Sequence, residues 1–156
     1  MNPNHRQKRI AVIGAGTCDP ETKKLADEVG WRIAKAGAIL ICGGMSGVME
    51  AAAQGAKKGN GMTIGILPSY NPNDANIYID IPISTGLGHA RNVIVVASSD
   101  AVIAVGGEYG TLSEIALALK LNKPVIALKS WHLRQTDKIK IAHSPEEAVK
   151  LVFTEI

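Results

Sequence analysis

Apolar residues in this chain fall into short continuous runs, and between the runs they recur at helical spacing. "RIAVI" (Arg9 to Ile13) opens the series, and "AILIC" (Ala38 to Cys42), "MTIGILP" (Met62 to Pro68), "AVIAV" (Ala101 to Val105) and "PVIAL" (Pro124 to Leu128) continue it. Such runs, rich in Val and Ile, predict strands buried on both faces. After the first run, Leu25, Val29, Ile33 and Ala36 lie on one helical stripe. Asp19 is placed to cap that helix, Pro20 to occupy its first position and Gly37 to close it. An Ala-rich helix is expected after "GGMSG". Another follows "GGEYG", with Leu112, Ile115, Ala116 and Leu119 on one face. "HARNVIVVASSD" is rich in β-branched residues, yet its length and position predict a helix. The stretch from Ser69 to Gly88 is turn-rich, with one extended piece near "IYIDI". The tail predicts a short strand at "KIKIA" and a final helix capped by Ser144 and started by Pro145.

Strands alternating with helices predict an α/β fold. The expected architecture is a Rossmann-like, doubly wound, mostly parallel sheet of about six or seven strands with helices on both faces. The 156 residues suit one domain spanning 1–156, with no repeat or linker. With 46% hydrophobic, 20% charged and 4% aromatic residues, the core is expected to consist of Ala, Val, Ile and Leu. The net charge is +3, and the basic clusters "HRQKR" (His5 to Arg9) and "LRQTDKIK" (Leu133 to Lys140) read as solvated surface. A nucleic-acid partner is not expected, because such a surface needs more cations interleaved with aromatics. Cys18 and Cys42 are too few for a disulfide framework. Without a visible signal peptide or membrane-length apolar run, a cytoplasmic location and no membrane partner are expected.

Eight of the sixteen glycines cluster at three junctions, each after a strand and before a helix. These are "GAGTCDP" with Gly14 and Gly16, "GGMSG" with Gly43, Gly44 and Gly47, and "GGEYGT" with Gly107, Gly110 and Thr111. In a parallel sheet all three lie at the carboxyl edge, where ligands bind. Helix-start amides are unsatisfied donors, and glycine lets a phosphate approach them closely. One such junction is explained by a tight turn; three together point to a nucleotide or phosphate site. "GAGTCD" is not a full dinucleotide fingerprint, and no phosphate-binding loop of the triphosphatase type is present. Glu114, three residues after Thr111, fits either a capping box or a chemical role.

Taken in order and spacing, "GGMSGVME", "GHARN" and "GGEYGTLSE" resemble the Lonely Guy (LOG) family, long labelled "possible lysine decarboxylase". The likeness runs from about Ile10 to Leu128. The short form is closer to a branch that includes molybdenum cofactor carrier proteins. The family signature is a GGGxxGxM turn, an Arg-Lys pair and PGGxGTxxE. The resemblance implies a catalytic pair of Arg91 and Glu114, with the Gly-Thr turn holding a 5'-phosphate. This chain departs from the pattern at Cys42, Asn92, Gly106 and Glu108. Glu108 places an anionic side chain beside the expected phosphate loop.

Two functions follow as expectations. One is a phosphoribohydrolase that cleaves the N-glycosidic bond of a nucleoside 5'-monophosphate through an oxocarbenium-like state. The alternative is a non-catalytic nucleotide or molybdenum cofactor carrier with the same anion-binding turns. Neither needs a metal or a resident cofactor, and His5, His89, His132 and His143 lack ligand spacing. His89 reads as a helix-entry residue. Lysine decarboxylation is not expected, since Lys120, Lys123 and Lys129 read as surface lysines. The helices "ARNVIVVASS" and "IALALKL" are apolar on more than one face, which predicts a homodimer or higher homo-oligomer.

Overall fold

A computed structural model describes residues 6–131, 133 and 136–156. His5 and His132, and parts of both basic clusters, lie outside them. The elements are β1 (Arg9–Ile13), α1 (Pro20–Lys35), β2 (Ile39–Cys42), α2 (Val48–Lys58), β3 (Thr63–Leu67), β4 (Ile81–Ser84), α3 (Asn92–Ala97), β5 (Ala101–Val105), α4 (Tyr109–Lys120), β6 (Val125–Leu128), β7 (Ile139–Ala142) and α5 (Pro145–Glu155). The seven strands form one all-parallel sheet in the order β4-β3-β2-β1-β5-β6-β7. This is the Rossmann-like α/β fold that the pattern predicts.

Pleating sends alternate side chains of each strand to opposite faces. Ile10, Val12, Leu40, Ile103 and Ile126 pack against α1, α2 and α5. Ala11, Ile13, Ile41, Val102 and Val125 pack against α3 and α4. Three helices therefore cover one face and two cover the other. On the thinly covered side, Ile81 and Ile83 of the edge strand and Val93 of α3 stay about 40% exposed.

Local capping follows the expected chemistry. The Asp19 carboxylate accepts from the Thr22 amide at 2.7 Å, and Ser144 Oγ accepts from the Glu147 amide at 3.1 Å. At the end of α1, Gly37 turns to φ +74°. The Ala38 amide then donates to the Ile33 carbonyl at 3.2 Å, satisfying a carbonyl the helix leaves free. Between α1 and α2 the backbones touch. A Cβ on Gly30 would lie 1.9 Å from the Ala52 carbonyl oxygen, and one on Gly55 would lie 1.7 Å from that of Asp27.

Four local expectations are corrected. The extended piece near "IYIDI" is limited to 81–84, starting on the last residue of that stretch, because Thr63 bonds to the Tyr78 carbonyl and to Asp80 and so holds 78–80 as a lead-in. Pro82 is tolerated in β4 because that strand is at the sheet edge. Helix α3 has only six residues, preceded by a 3-10 turn over Gly88–Arg91. Ala36 is the exposed C-cap of α1. The buried stripe of α4 is Thr111, Glu114, Ile115 and Ala118, and Ala116 faces outward. No described helix is long and apolar enough to cross a membrane.

Candidate functional site

Strand order reverses between β1 and β5, so the loops after these strands leave toward opposite faces. That divergence opens a crevice at the carboxyl edge. A cleft of about 250 Å³ lies there. Gly14, Gly16, Gly43, Arg91, Gly110, Thr111 and Glu114 all line it. The three glycine junctions thus meet in one space, with the Arg and the Glu between them.

Gly44, Gly47 and Gly107 do not line the cleft but shape its walls. Gly47, at φ +68°, comes so close to the first turn that a Cβ would sit 2.3 Å from the Ala15 carbonyl oxygen. The Val48 amide donates to that oxygen at 3.0 Å, and Ser46 Oγ donates to the Gly16 carbonyl at 2.8 Å. These bonds lock the first two turns together. Gly44 packs on Gly65 and Leu67, and Gly107, at φ +119°, folds back over Thr111.

Helix α4 begins at Tyr109, with Glu108 in the capping position. Thr111 is therefore inside the first turn and not the N-cap, and Glu114 does not close a capping box. The first helical bond runs from the Leu112 amide to the Glu108 carbonyl at 3.0 Å. The amides of Tyr109, Gly110 and Thr111 precede it and have no helical acceptor.

Glu114 is 6% exposed. Burial pushes its carboxyl up to about 7, against the opposing pull of Arg91, and no hydrogen bond contributes. Burial lowers the Arg91 guanidinium from its ordinary value while Glu114 raises it. Among the described residues no direct ion pair joins the two. Arg91 Nη2 donates weakly to the Gly43 carbonyl at 3.4 Å and Nη1 donates to Asn92 Oδ1, whereas Nε is buried without a partner. A Cβ on Gly43 would lie 2.5 Å from Nη2, so glycine there makes room for the guanidinium. The arrangement offers one half-buried cation, one protonatable acid and a set of free amides, a combination suited to an anion joined to a polar ring or sugar.

His89, Met49, Asn92 and Glu108 line the cleft as well. His89 lies in the 3-10 turn and faces the site at the same time. Met49 carried a readable signal, since it closes the GGGxxGxM turn. Trp131 donates from Nε1 to the Glu108 carbonyl at 3.1 Å and stacks on Tyr109 with centroids 6.1 Å apart, which pins the lip of the cleft. Cys42 is buried behind it, and burial raises its thiol to about 11. A larger groove of about 440 Å³ runs between α1 and α2, but its Lys58 pairs with Asp27 and its Gln54 bonds to Tyr78.

Residues 7–154 match the model of the SLOG cluster4 family. The molybdenum cofactor binding protein of the phototrophic bacterium Rippkaea orientalis is 46% identical, with a TM-score of 0.92 over 97% of this chain and 98% of that one. The molybdenum cofactor carrier protein of Chlamydomonas reinhardtii is 38% identical, with a TM-score of 0.86 over 96% and 98% of the two chains. An uncharacterised protein of Archaeoglobus fulgidus is 52% identical over 90% of this chain and 91% of its own. These relatives bear out the resemblance read from the glycine motifs.

Proposed function

Since this chain belongs to the SLOG cluster4 family, we propose that it binds a phosphate-bearing small molecule, the molybdenum cofactor or a nucleotide, in the cleft between β1 and β5, and carries it without turnover. The observation that carries this reading is the convergence of three glycine turns on half-buried Arg91, whose Nε has no partner, and on buried Glu114. An unsatisfied buried donor and an unbonded buried acid are costly in an empty protein. A ligand offering an anionic oxygen to Arg91 and a polar ring or sugar edge to Glu114 relieves both. Similarity to the Rippkaea and Chlamydomonas proteins supports the molybdenum cofactor as cargo. The test is to purify the protein from cells that make this cofactor, oxidise the bound material and measure pterin fluorescence together with molybdenum. Equimolar pterin and molybdenum that disappear in Arg91→Met support the carrier. Their absence, with tight binding of AMP instead, points to a nucleotide.

A phosphoribohydrolase is the second reading, favoured by the Glu114 carboxyl near 7. A group titrating near neutrality can position or deprotonate water as the bond between C1' and the base breaks. Incubation with a panel of nucleoside 5'-monophosphates tests this. Release of free base and ribose 5-phosphate, lost in Glu114→Gln, would establish it.

A homodimer completes the proposal. The face covered only by α3 and α4 leaves Ile81, Ile83, Leu87 and Val93 exposed, and a second copy would bury them. Light scattering on the eluting protein should give twice the mass of the chain.

A further inference from the structure

Glu108 stands on the cleft lip directly before the free amides of α4, and it has no partner there. Its side chain occupies the capping position yet accepts no capping bond. Its backbone is held firmly, because its carbonyl accepts from both the Leu112 amide and Trp131 Nε1. Among the described residues no Lys or Arg pairs with it. The cleft is also poor in cations: Arg91 is the one Lys or Arg among its lining residues, which include the carboxylates Glu108 and Glu114. That a ligand belongs here is indicated independently by Glu114, which is 6% exposed, aimed into the cleft and free of hydrogen bonds.

If the ligand carries a phosphate, as the proposed function holds, the amides of Tyr109 to Thr111 are its natural dock. Glu108 then lies within side-chain reach of the phosphate. Repulsion between two anions about 4 Å apart in water, about 1 kcal/mol, is enough to offset the attraction of one helix end. A hard divalent cation shared between them removes the conflict. Ions of the Mg²⁺ type are commonly held by one or two carboxylates together with a ligand's phosphate oxygens, and they keep several waters. Among the described residues no three His, Cys, Asp or Glu side chains cluster, so the remaining ligands would come from the phosphate and water. We propose that Glu108 and the bound phosphate together hold a divalent cation, which enters with the ligand.

Calorimetric titration with AMP as the probe tests this, in magnesium chloride and in EDTA with sodium chloride at matched ionic strength. Wild type should bind AMP about tenfold more tightly with magnesium. Glu108→Gln should lose that dependence and bind more tightly than wild type in EDTA. The exposed position of Glu108 leaves the fold intact, and a melting curve checks it. Equal AMP affinity of wild type in both media would overturn the cation while leaving the phosphate site standing. Weaker binding by Glu108→Gln in EDTA would also overturn it, showing the carboxylate accepting a hydrogen bond from AMP. Failure of both AMP and inorganic phosphate to bind in either medium would remove the phosphate reading and this inference with it.

Discussion

Two tight places in this molecule are built with glycine for opposite reasons. Between α1 and α2, Gly30 and Gly55 let backbone meet backbone, and a methyl at either position would land under 2 Å from a carbonyl oxygen. That contact is closed, and what an added methyl would meet is the backbone of Ala52, Ala56 and Asp27. At the carboxyl edge, Gly43 makes room for a charged side chain, while Gly110 has nothing within 4 Å of an added Cβ. That region is open, and its polar groups lack partners. Glycine at the helix contact serves stability, and glycine at the carboxyl edge, beside polar groups without partners, serves something that arrives later. The contrast separates packing from binding without reference to any relative.

The largest expected effect falls on the closed contact. Gly55→Ala should cost about 3 kcal/mol or more of stability, because helix backbones must part to admit the methyl. Urea unfolding would measure it. A near-neutral result would mean that α1 and α2 shift freely, and the distinction between the two regions would fail.

Next in size is Glu114→Gln. A carboxyl raised from 4.5 to about 7 binds its proton more tightly in the folded state. Folding is therefore unpenalised below 4.5, loses stability as pH rises to about 7, and stays constant above that. The variant should match wild type in acid and exceed it above neutrality by about 3 kcal/mol. Melting curves across pH decide the matter. Parallel curves would show that Glu114 has an ordinary carboxyl and that the cleft is wetter than its burial indicates.

Arg91→Met keeps the packing and removes the charge. Affinity for AMP should fall by about 2 kcal/mol, roughly 30-fold, with stability little changed because an unsatisfied buried donor is lost as well. Unchanged affinity would place the anion elsewhere. The smallest effect is expected at Gly110→Ala, in the first turn of α4. Stability should rise by about 0.5 kcal/mol while AMP binding weakens, an opposition that only an open glycine at a docking surface produces. Loss of both would put Gly110 in the same class as Gly55.

Much of this could be read along the chain, because it depends on near neighbours. Asp19 with Pro20 and Ser144 with Pro145 announce helix starts through bonds spanning three residues. Strand burial follows from uninterrupted Val and Ile. Thr111 and Glu114 show where this kind of reading ends. Their spacing fits a capping box, and the helix nevertheless starts at Tyr109 and buries both. At that start the Glu108 carbonyl also accepts from Trp131, a residue 23 positions away, a contact no local pattern contains.

Sequence alone determined the alternation of elements, the caps of α1 and α5 and about half of the residues that line the cleft, since periodicity and capping are local. Tertiary structure alone decided which glycines face the cleft and which only shape its walls, that Glu114 is buried near Arg91, and that one sheet face is left thinly covered. Those are properties of chains brought together across the sheet, where close approach and loss of water depend on distant partners.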